Sequence, residues 1–285
     1  MPYTGQMHAL RRSVVDRLVQ LRLILSQTAH IRLGGVTAEA WALAGNRIAG
    51  SCPVCGTQRA LFSDFTENLR ESGACSACGA SNRQRQMALA LRRIRDLAPV
   101  GRLTLPEGCR LYSAEANGPL HAALTDLPGY VCSEYLGEAH SPGASVNGVR
   151  HEDLERLSFA DETIDIMLSS DVLEHVADAY RAHRDIFRVL RRGGLHIFTV
   201  PFVPDAADDD VRARRVDGEI EYLAEPLYHG DPVRPDQGIL VWRIFGAAML
   251  TRLQEIGFST TTMRLHEPRH GIIGDNGLVF VARKP

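Results

Sequence analysis

The sequence predicts an α/β protein: an open sheet of mainly parallel strands, preceded by an N-terminal helix and a small cysteine-rich ribbon. Three observations predict it. From Ile164 to Phe202 the chain reads as strand, acidic turn, helix, glycine turn and strand without a break, which is one βαβ crossover. Upstream, Cys52-Pro-Val-Cys55-Gly56 and Cys75-Ser-Ala-Cys78-Gly79 repeat one knuckle with nineteen residues between the pairs. The chain has 285 residues, 45% of them hydrophobic, enough for one full core and a smaller accessory module.

In chain order, residues 7–29 place Leu10, Val14, Leu18, Leu21 and Leu25 on one face of a helix, with arginines beside them. That face must be covered. The rest of the chain or a second subunit would do it, so a homodimer through this helix is an expectation, and a membrane surface is the alternative cover. Residues 31–50 are ambiguous, with helical character over Val36–Leu43.

Residues 51–80 form the ribbon. Four thiolates at this spacing suit a tetrahedral Zn²⁺ bound by Cys52, Cys55, Cys75 and Cys78, and the glycine after each pair lets the backbone turn under the sulfurs. Four sulfurs leave no position for water or substrate, so the ion would be structural. Two disulfides or free thiols are the alternative, disfavoured because no export signal precedes the pattern and a chain without one stays reduced. Cys109 and Cys132 sit in strand-like surroundings as small buried residues. A helix from Ser81 to Arg95, with Met87, Leu91 and Ile94 inward, links the ribbon to the residues that follow, the linking segment spanning 81–107.

The third part, residues 108–285, opens with a strand at Leu111–Ala114, then strands at Tyr130–Ser133, Gly148–His151 and Ile164–Ser170. The last of these is an apolar run that stops at Ser169, Ser170 and Asp171, as a buried parallel strand does at a functional edge. Tyr180, Ile186, Phe187 and Leu190 follow at helical spacing until Gly193 and Gly194, and Leu195–Val200 is the fifth strand. An irregular segment, Pro204–Gln237, precedes a helix at Ala247–Ile256 ended by Gly257. Two final strands lie at Phe258–Leu265 and Gly277–Ala282.

Asp171-Val-Leu-Glu-His175-Val176 and Arg188-Val-Leu-Arg-Arg-Gly193-Gly194, with the acidic stretch His151–Asp165 before them, resemble the class I S-adenosylmethionine-dependent methyltransferases, in the branch that carries DVLEHV followed by RVLRPGG. The resemblance covers about 108–285. It implies a Rossmann-like sheet of seven strands, the last two antiparallel, and S-adenosylmethionine bound at the carboxyl edge. On this pattern Glu134 accepts from the ribose hydroxyls and Asp153 from the adenine amino group, with Leu154 against the ring. Ala114, Glu115, Ala116, Asn117 and Gly118 line the methionine end, and Ser170 and Asp171 complete the set. One departure stands out. Where the family has GxGxG, this chain has alanine at two of the glycine positions, Ala114 and Ala116, so the loop must differ in shape. Arg83 and Arg85 match the arginine-bearing helix of zinc-ribbon members, as substrate or interdomain contacts.

Methyl transfer to a hydroxyl requires alignment and removal of a proton, which directs attention to histidines near the carboxyl edge. His175, one turn after Asp171, and His229, in the irregular segment, are the candidate bases, with Asp231, Tyr222 and Arg243 as neighbours of His229. The acceptor implied is an oxygen or nitrogen of a small molecule or glycan. An RNA methyltransferase is the alternative, weakened by a net charge of −2 and by the absence of interleaved basic and aromatic residues in the ribbon. Its basic patch would be Arg83, Arg85, Arg92, Arg93 and Arg95. A non-catalytic scaffold is the third reading, suggested by the altered loop. No run of eighteen apolar residues spans a membrane, and the expected address is the cytoplasm.

Overall fold

The computed structural model describes residues 37–230, 238–275 and 277–285; the predicted N-terminal helix, the subunit contact assigned to it and Asp231 lie outside the described residues. After a short helix α1 (Ala38–Leu43), the ribbon consists of β1 (Ile48–Gly50), β2 (Ala60–Ser63) and β3 (Ala74–Cys75), paired antiparallel in that order. Helix α2 (Asn82–Ile94) follows, started by a capping box in which Ser81 accepts from the Gln84 N–H and the Gln84 side chain accepts from the Ser81 N–H.

The main sheet combines β4 (Leu111–Ser113), β5 (Tyr130–Cys132), β8 (Ile164–Ser170), β9 (Leu190–Thr199), β16 (Ser259–Arg264) and β17 (Leu278–Arg283) in the order β16-β17-β9-β8-β4-β5. Strand β4 lies parallel between β5 and β8, β8 and β9 are parallel, and β17 runs antiparallel to both β9 and β16. Helix α3 (Gly118–Leu124) connects β4 to β5, and α4 (Ala179–Val189) connects β8 to β9.

Successive strand residues serve opposite faces. Ile166, Leu168, Ile197 and Val281 pack with Met87, Leu89 and Leu91 of α2 and with Cys52 and Phe62 of the ribbon, so ribbon and sheet share one core. Met167, Phe198 and Phe280 pack on the other face against Tyr180, Ile186 and Val189 of α4 and against Met249 and Leu253 of α5 (Ala248–Ile256). With both faces covered, β8 is apolar on both sides, which is why it reads as a run rather than an alternation.

Three local features differ from expectation. The expected third strand, Gly148–His151, is instead half of a hairpin, β6 (Ser145–Val146) and β7 (Val149–Arg150), turned by Asn147 and Gly148 at φ +51° and +82°. An Asn-Gly pair with both residues at positive φ makes the tight turn that matches strand twist. A parallel bridge from Glu134 to His151 joins this segment to the sheet, which among the described residues has six hydrogen-bonded strands. Second, Gly193 and Gly194 do not cap α4, which ends at Val189; they lie in β9, where the pairing with β8 jumps from Ile164↔Leu190 to Ile166↔Leu195. Gly193 N–H donates to Lys284 O and Lys284 N–H to Gly194 O, so the glycines extend the contact with β17. Third, the described part of the segment after β9 is not irregular: β11 (Ala213–Val216) and β12 (Glu219–Tyr222) form a hairpin. Strand β10 (Asp210–Val211) pairs with β15 (Arg243–Ile244), and β13 (Tyr228–His229) with β14 (Ile239–Leu240).

The ribbon is anchored by two arginines of α2 that are completely buried. Arg85 donates to the carbonyls of Gly73, Ala80 and Gly271 and lies 4.4 Å over the Phe62 ring. Arg92 donates to Pro53 O, Ala98 O and Gly101 O. Burial pushes Arg85 down to about 10, while the nearby Cys52, Cys75 and Cys78 favour its charged form. A tetrathiolate centre concentrates negative charge, and these cations sit beneath it. Ser51 N–H donates to Arg269 O, which holds the ribbon against the 3-10 turn Pro268–His270; any side chain at Gly50 would meet Arg269 O at 2.0 Å.

Candidate active site

The carboxyl ends of β4, β5 and β8 open into one cleft of about 1120 Å³, where a doubly wound sheet places ligands. Ala114, Glu115, Asn117, Glu134, Asp153, Leu154, Ser170, Asp171, His175 and His229 all line it. Ala116 and Gly118 are not among the lining residues: the Ala116 N–H donates to Glu134, and Gly118 begins α3.

The alanine-bearing loop works because it does not ask for glycine geometry where the alanines are. Of its residues only Gly118 has positive φ, at +80°. Glu134 Oε1 accepts from the Ala116 N–H at 2.8 Å and from Asn117 Nδ2 at 2.7 Å, so the tip of β5 pins the loop after β4. Its carboxylate therefore serves the protein as well as any ligand hydroxyl. Asp153 Oδ1 accepts from the Glu155 N–H and shapes the turn on the far side, where Leu154 is buried at 7% exposure. Polar acceptors on two successive strand ends, with an apolar wall beside them, fit an adenosine group.

Glu115 lies among charges. Burial pushes its carboxyl up to about 7; Arg83 pulls it back, and Glu134 and Asp171 add to the rise. Between its unfolded value near 4.5 and 7 the folded protein holds a proton that the unfolded chain has released, so stability falls as pH rises through that window. Glu115→Gln is expected to remove this fall. The variant gains up to about 3 kcal/mol over the parent at pH 8 and is near neutral at pH 4. Denaturant unfolding of both proteins across pH 4–8 checks it, and parallel pH profiles would sink it.

Asp171 ends β8 in the left-handed region, φ +55°. Its Oδ1 accepts from Arg70 Nη2 at 2.6 Å and Thr199 Oγ1 at 2.9 Å, while Oδ2 accepts from Arg70 Nη1 and lies 3.4 Å from Arg83 Nε. Arg83 also donates to Ser170 O and Ser170 Oγ and, through Nε, to both oxygens of Glu71. Burial alone would raise the Asp171 pKa; Arg70 and Arg83 instead hold it down to about 2. Asp171 thus faces the cleft as half of a clamp rather than as a lone carboxylate. Of the two arginines matched from the sequence, Arg83 reaches the cleft and Arg85 supports the ribbon. Arg70, supplied by the ribbon loop between β2 and β3, was not singled out by sequence reasoning, because nothing local distinguishes it from a solvated loop charge.

The same cleft is lined by the histidines. His175 lies in a 3-10 turn, Leu173–His175, directly after β8, and its Nδ1 is 2.9 Å from Leu240 O. His229, from β13, brings its Nδ1 to 3.2 Å from His175 Nε2. The two residues singled out from distant parts of the sequence therefore meet. Tyr222 is 47% exposed and outside the cleft, and Arg243 is buried at Asp209 and Tyr180, so neither joins them.

The four ribbon thiols bring their sulfurs within 4.8 Å of one another, with Cys52 and Cys78 at 3.9 Å. Sulfurs about 2.3 Å from a tetrahedral zinc ion stand about 3.8 Å apart, so the set fits such an ion. Gly56 and Gly79 both have φ +75° and donate back to Cys52 O and Cys75 O under the sulfurs.

A family model described as a methyltransferase domain matches residues 120–198. An uncharacterized methyltransferase of Mycolicibacterium vanbaalenii is 46% identical over 178 residues, which cover 54% of this chain and 70% of the relative. Another, of Mycolicibacterium gilvum, is 31% identical over 118 residues, 40% of this chain and 45% of the relative. The chain thus spans less than half the length of that second relative. A solved S-adenosylmethionine-dependent methyltransferase from Mesorhizobium loti is 18% identical, with a TM-score of 0.40 over 69% of this chain and 96% of the other. No helix among the described residues is long and apolar enough to cross a membrane.

Proposed function

The chain belongs to the class I S-adenosylmethionine-dependent methyltransferases, and on that premise we propose that it methylates an oxygen or nitrogen of a small molecule or glycan. One observation carries this reading: a single cleft is lined by Glu134 and Asp153 and also by His175 and His229. At about 1120 Å³ it has room for two ligands side by side.

Glu134, Asp153 and Leu154 would hold the adenosine, and Glu115, Asn117 and Ser170 the amino-acid end. When bound, the cofactor supplies a methyl group on a sulfonium: its carbon–sulfur bond breaks as the acceptor bond forms, and the acceptor proton must leave. His175 and His229 receive the acceptor at the face where that proton is lost. The Arg70–Asp171–Arg83 clamp fixes the end of β8 between the two halves, so alignment rests on a packed element.

The RNA reading loses its electrostatic support. Arg85 and Arg92 are buried against carbonyls, Arg83 is paired with Glu71 and Asp171, and Arg93 is paired with Glu267. Four of the five arginines of the dense basic run are therefore buried or paired. The scaffold reading rests on the altered loop, and that loop keeps the cleft open.

Calorimetry is expected to give cofactor binding tighter than about 100 μM, roughly −5.5 kcal/mol. Small-molecule and glycan extracts incubated with methyl-labelled cofactor are expected to yield a labelled product by mass spectrometry. His229→Ala should lower its formation at least about tenfold while cofactor binding survives. Absence of any binding heat from folded protein favours the scaffold; label recovered in RNA replaces the acceptor class.

A further inference from the structure

Glu174 has no task in the reading above, yet its position is costly. Its side chain is fully buried, and neither carboxylate oxygen has a hydrogen-bond partner among the described residues. A carboxyl in such a place is destabilising unless something compensates it. What faces it are two imidazole nitrogens. Glu174 Oε1 stands 3.8 Å from His175 Nε2 and 3.9 Å from His229 Nδ1, and the two nitrogens are 3.2 Å apart.

These separations from the carboxylate are too long for hydrogen bonds and suit a different arrangement. Ligand atoms about 2.1 Å from one ion at the tetrahedral angle stand about 3.4 Å apart, close to all three distances. The chemistry of the triangle agrees. The His175 ring has Nδ1 against Leu240 O at 2.9 Å, an acceptor that assigns the proton to Nδ1 and leaves a lone pair on Nε2 inside the triangle. A backbone carbonyl orienting the outer nitrogen of a histidine is the usual support of a metal ligand. The same hairpin, β13 with β14, presents both His229 and Leu240 O, and Trp242 N–H fixes the backbone of Glu174 by donating to its carbonyl at 2.8 Å.

We propose that Glu174 Oε1, His175 Nε2 and His229 Nδ1 hold a divalent cation at the acceptor end of the cleft, separate from the four-cysteine ribbon. Two imidazoles and one carboxylate suit Zn²⁺, Mn²⁺, Fe²⁺ or Co²⁺ rather than Ca²⁺. Three protein ligands leave the ion unsaturated, and because His175 and His229 line the cleft, its remaining positions open there. A hydroxyl of the acceptor seated at such a position is polarised by the cation and gives up its proton to solvent more readily. The site rests on the acceptor end assigned above and narrows the acceptor to one that offers an oxygen to a metal. The imidazole nitrogens then act as ligands and not as bases.

The test uses the full chain with its ribbon metal in place, verified by elemental analysis. Mn²⁺ is titrated in, and the loss of the free-ion paramagnetic resonance signal is followed. Thiolates bind Mn²⁺ poorly, so uptake reports the second site. One equivalent is expected to bind, and at least tenfold more weakly in Glu174→Gln and in His229→Ala. His229 is partly exposed, so the second variant tests the ligand even where the first fails to fold. No uptake of Mn²⁺ together with no second equivalent of Zn²⁺, or equal affinity in parent and variants, overturns the site. Calorimetry with S-adenosylmethionine on the same samples separates the two claims: cofactor binding without metal uptake overturns the metal site alone, and metal uptake without cofactor binding overturns the methyltransferase reading alone.

Discussion

Asp171→Ala is expected to lower the unfolding free energy by about 3–5 kcal/mol and to abolish measurable cofactor binding. The magnitude follows from what remains. Arg70 and Arg83 have side chains only 14% and 16% exposed, and the substitution takes from both the carboxylate that compensates their desolvation. Glu71, 35% exposed, pairs with each guanidinium but stands further into solvent and replaces little of that field. Backbone geometry adds to the loss, since Asp171 occupies the left-handed region at φ +55°, which alanine tolerates less well than aspartate does. The pH dependence has a definite sign. With the folded pKa held down to about 2, the pair contributes fully above the unfolded value of 3.8, and its contribution disappears as pH falls from about 4 to 2. Urea unfolding at pH 7 and pH 2.5 checks this: the difference between parent and variant should be large at the first and much smaller at the second. A difference independent of pH would show that packing, and not the ion pair, holds this corner.

The second large effect is expected at the ribbon. If the four cysteines hold a metal ion, Cys75→Ser should release it, melt β1 to β3, and weaken cofactor binding at least tenfold although no ribbon cysteine lines the cleft. Structural zinc contributes about 10–16 kcal/mol in small isolated modules, far more than three short strands supply by themselves. The connection to the cleft is Arg70. It sits on the loop between β2 and β3, where its carbonyl also accepts from the Arg83 N–H; lose the strands and the loop loses its ordering on one side, which loosens one side of the Asp171 clamp. Metal content by elemental analysis and cofactor calorimetry on the same sample check both halves. Unchanged cofactor affinity in a metal-free, ribbon-melted protein would break the connection.

Much of this was readable from residue order. The βαβ unit at Ile164–Phe202, the knuckle cysteines with their glycines and the capping box at Ser81 are local patterns, decided within a few residues of themselves. Glu134, Asp153, His175 and His229 were legible as candidates because each sits at a strand end or in a long insertion. That they share one cleft is a property of topology, which brings residues far apart in sequence to one edge. Two misreadings have identifiable causes. Gly148 was read as the start of a strand although with Asn147 it makes a strong hairpin signal, and Gly193-Gly194 was read as a helix stop although the helix had already ended. Arg70 and Glu174 could not have been found by pattern at all. Each acquires its meaning from a partner across the fold, Asp171 for one and a pair of imidazoles for the other.

The ribbon's seat on the Pro268–His270 turn bears on how the molecule is made. Arg85 must wait for a carbonyl 186 residues downstream, Asn82 for one 191 residues away, and Ser51 for a histidine 219 residues away. A nascent chain emerging from the ribosome therefore exposes its cysteines long before the shelf that supports them exists, and such distant closures are slow. Any metal captured early would be held by a loosely seated ribbon, which is locked only once Arg269 to Ile273 have been made and have folded beneath it.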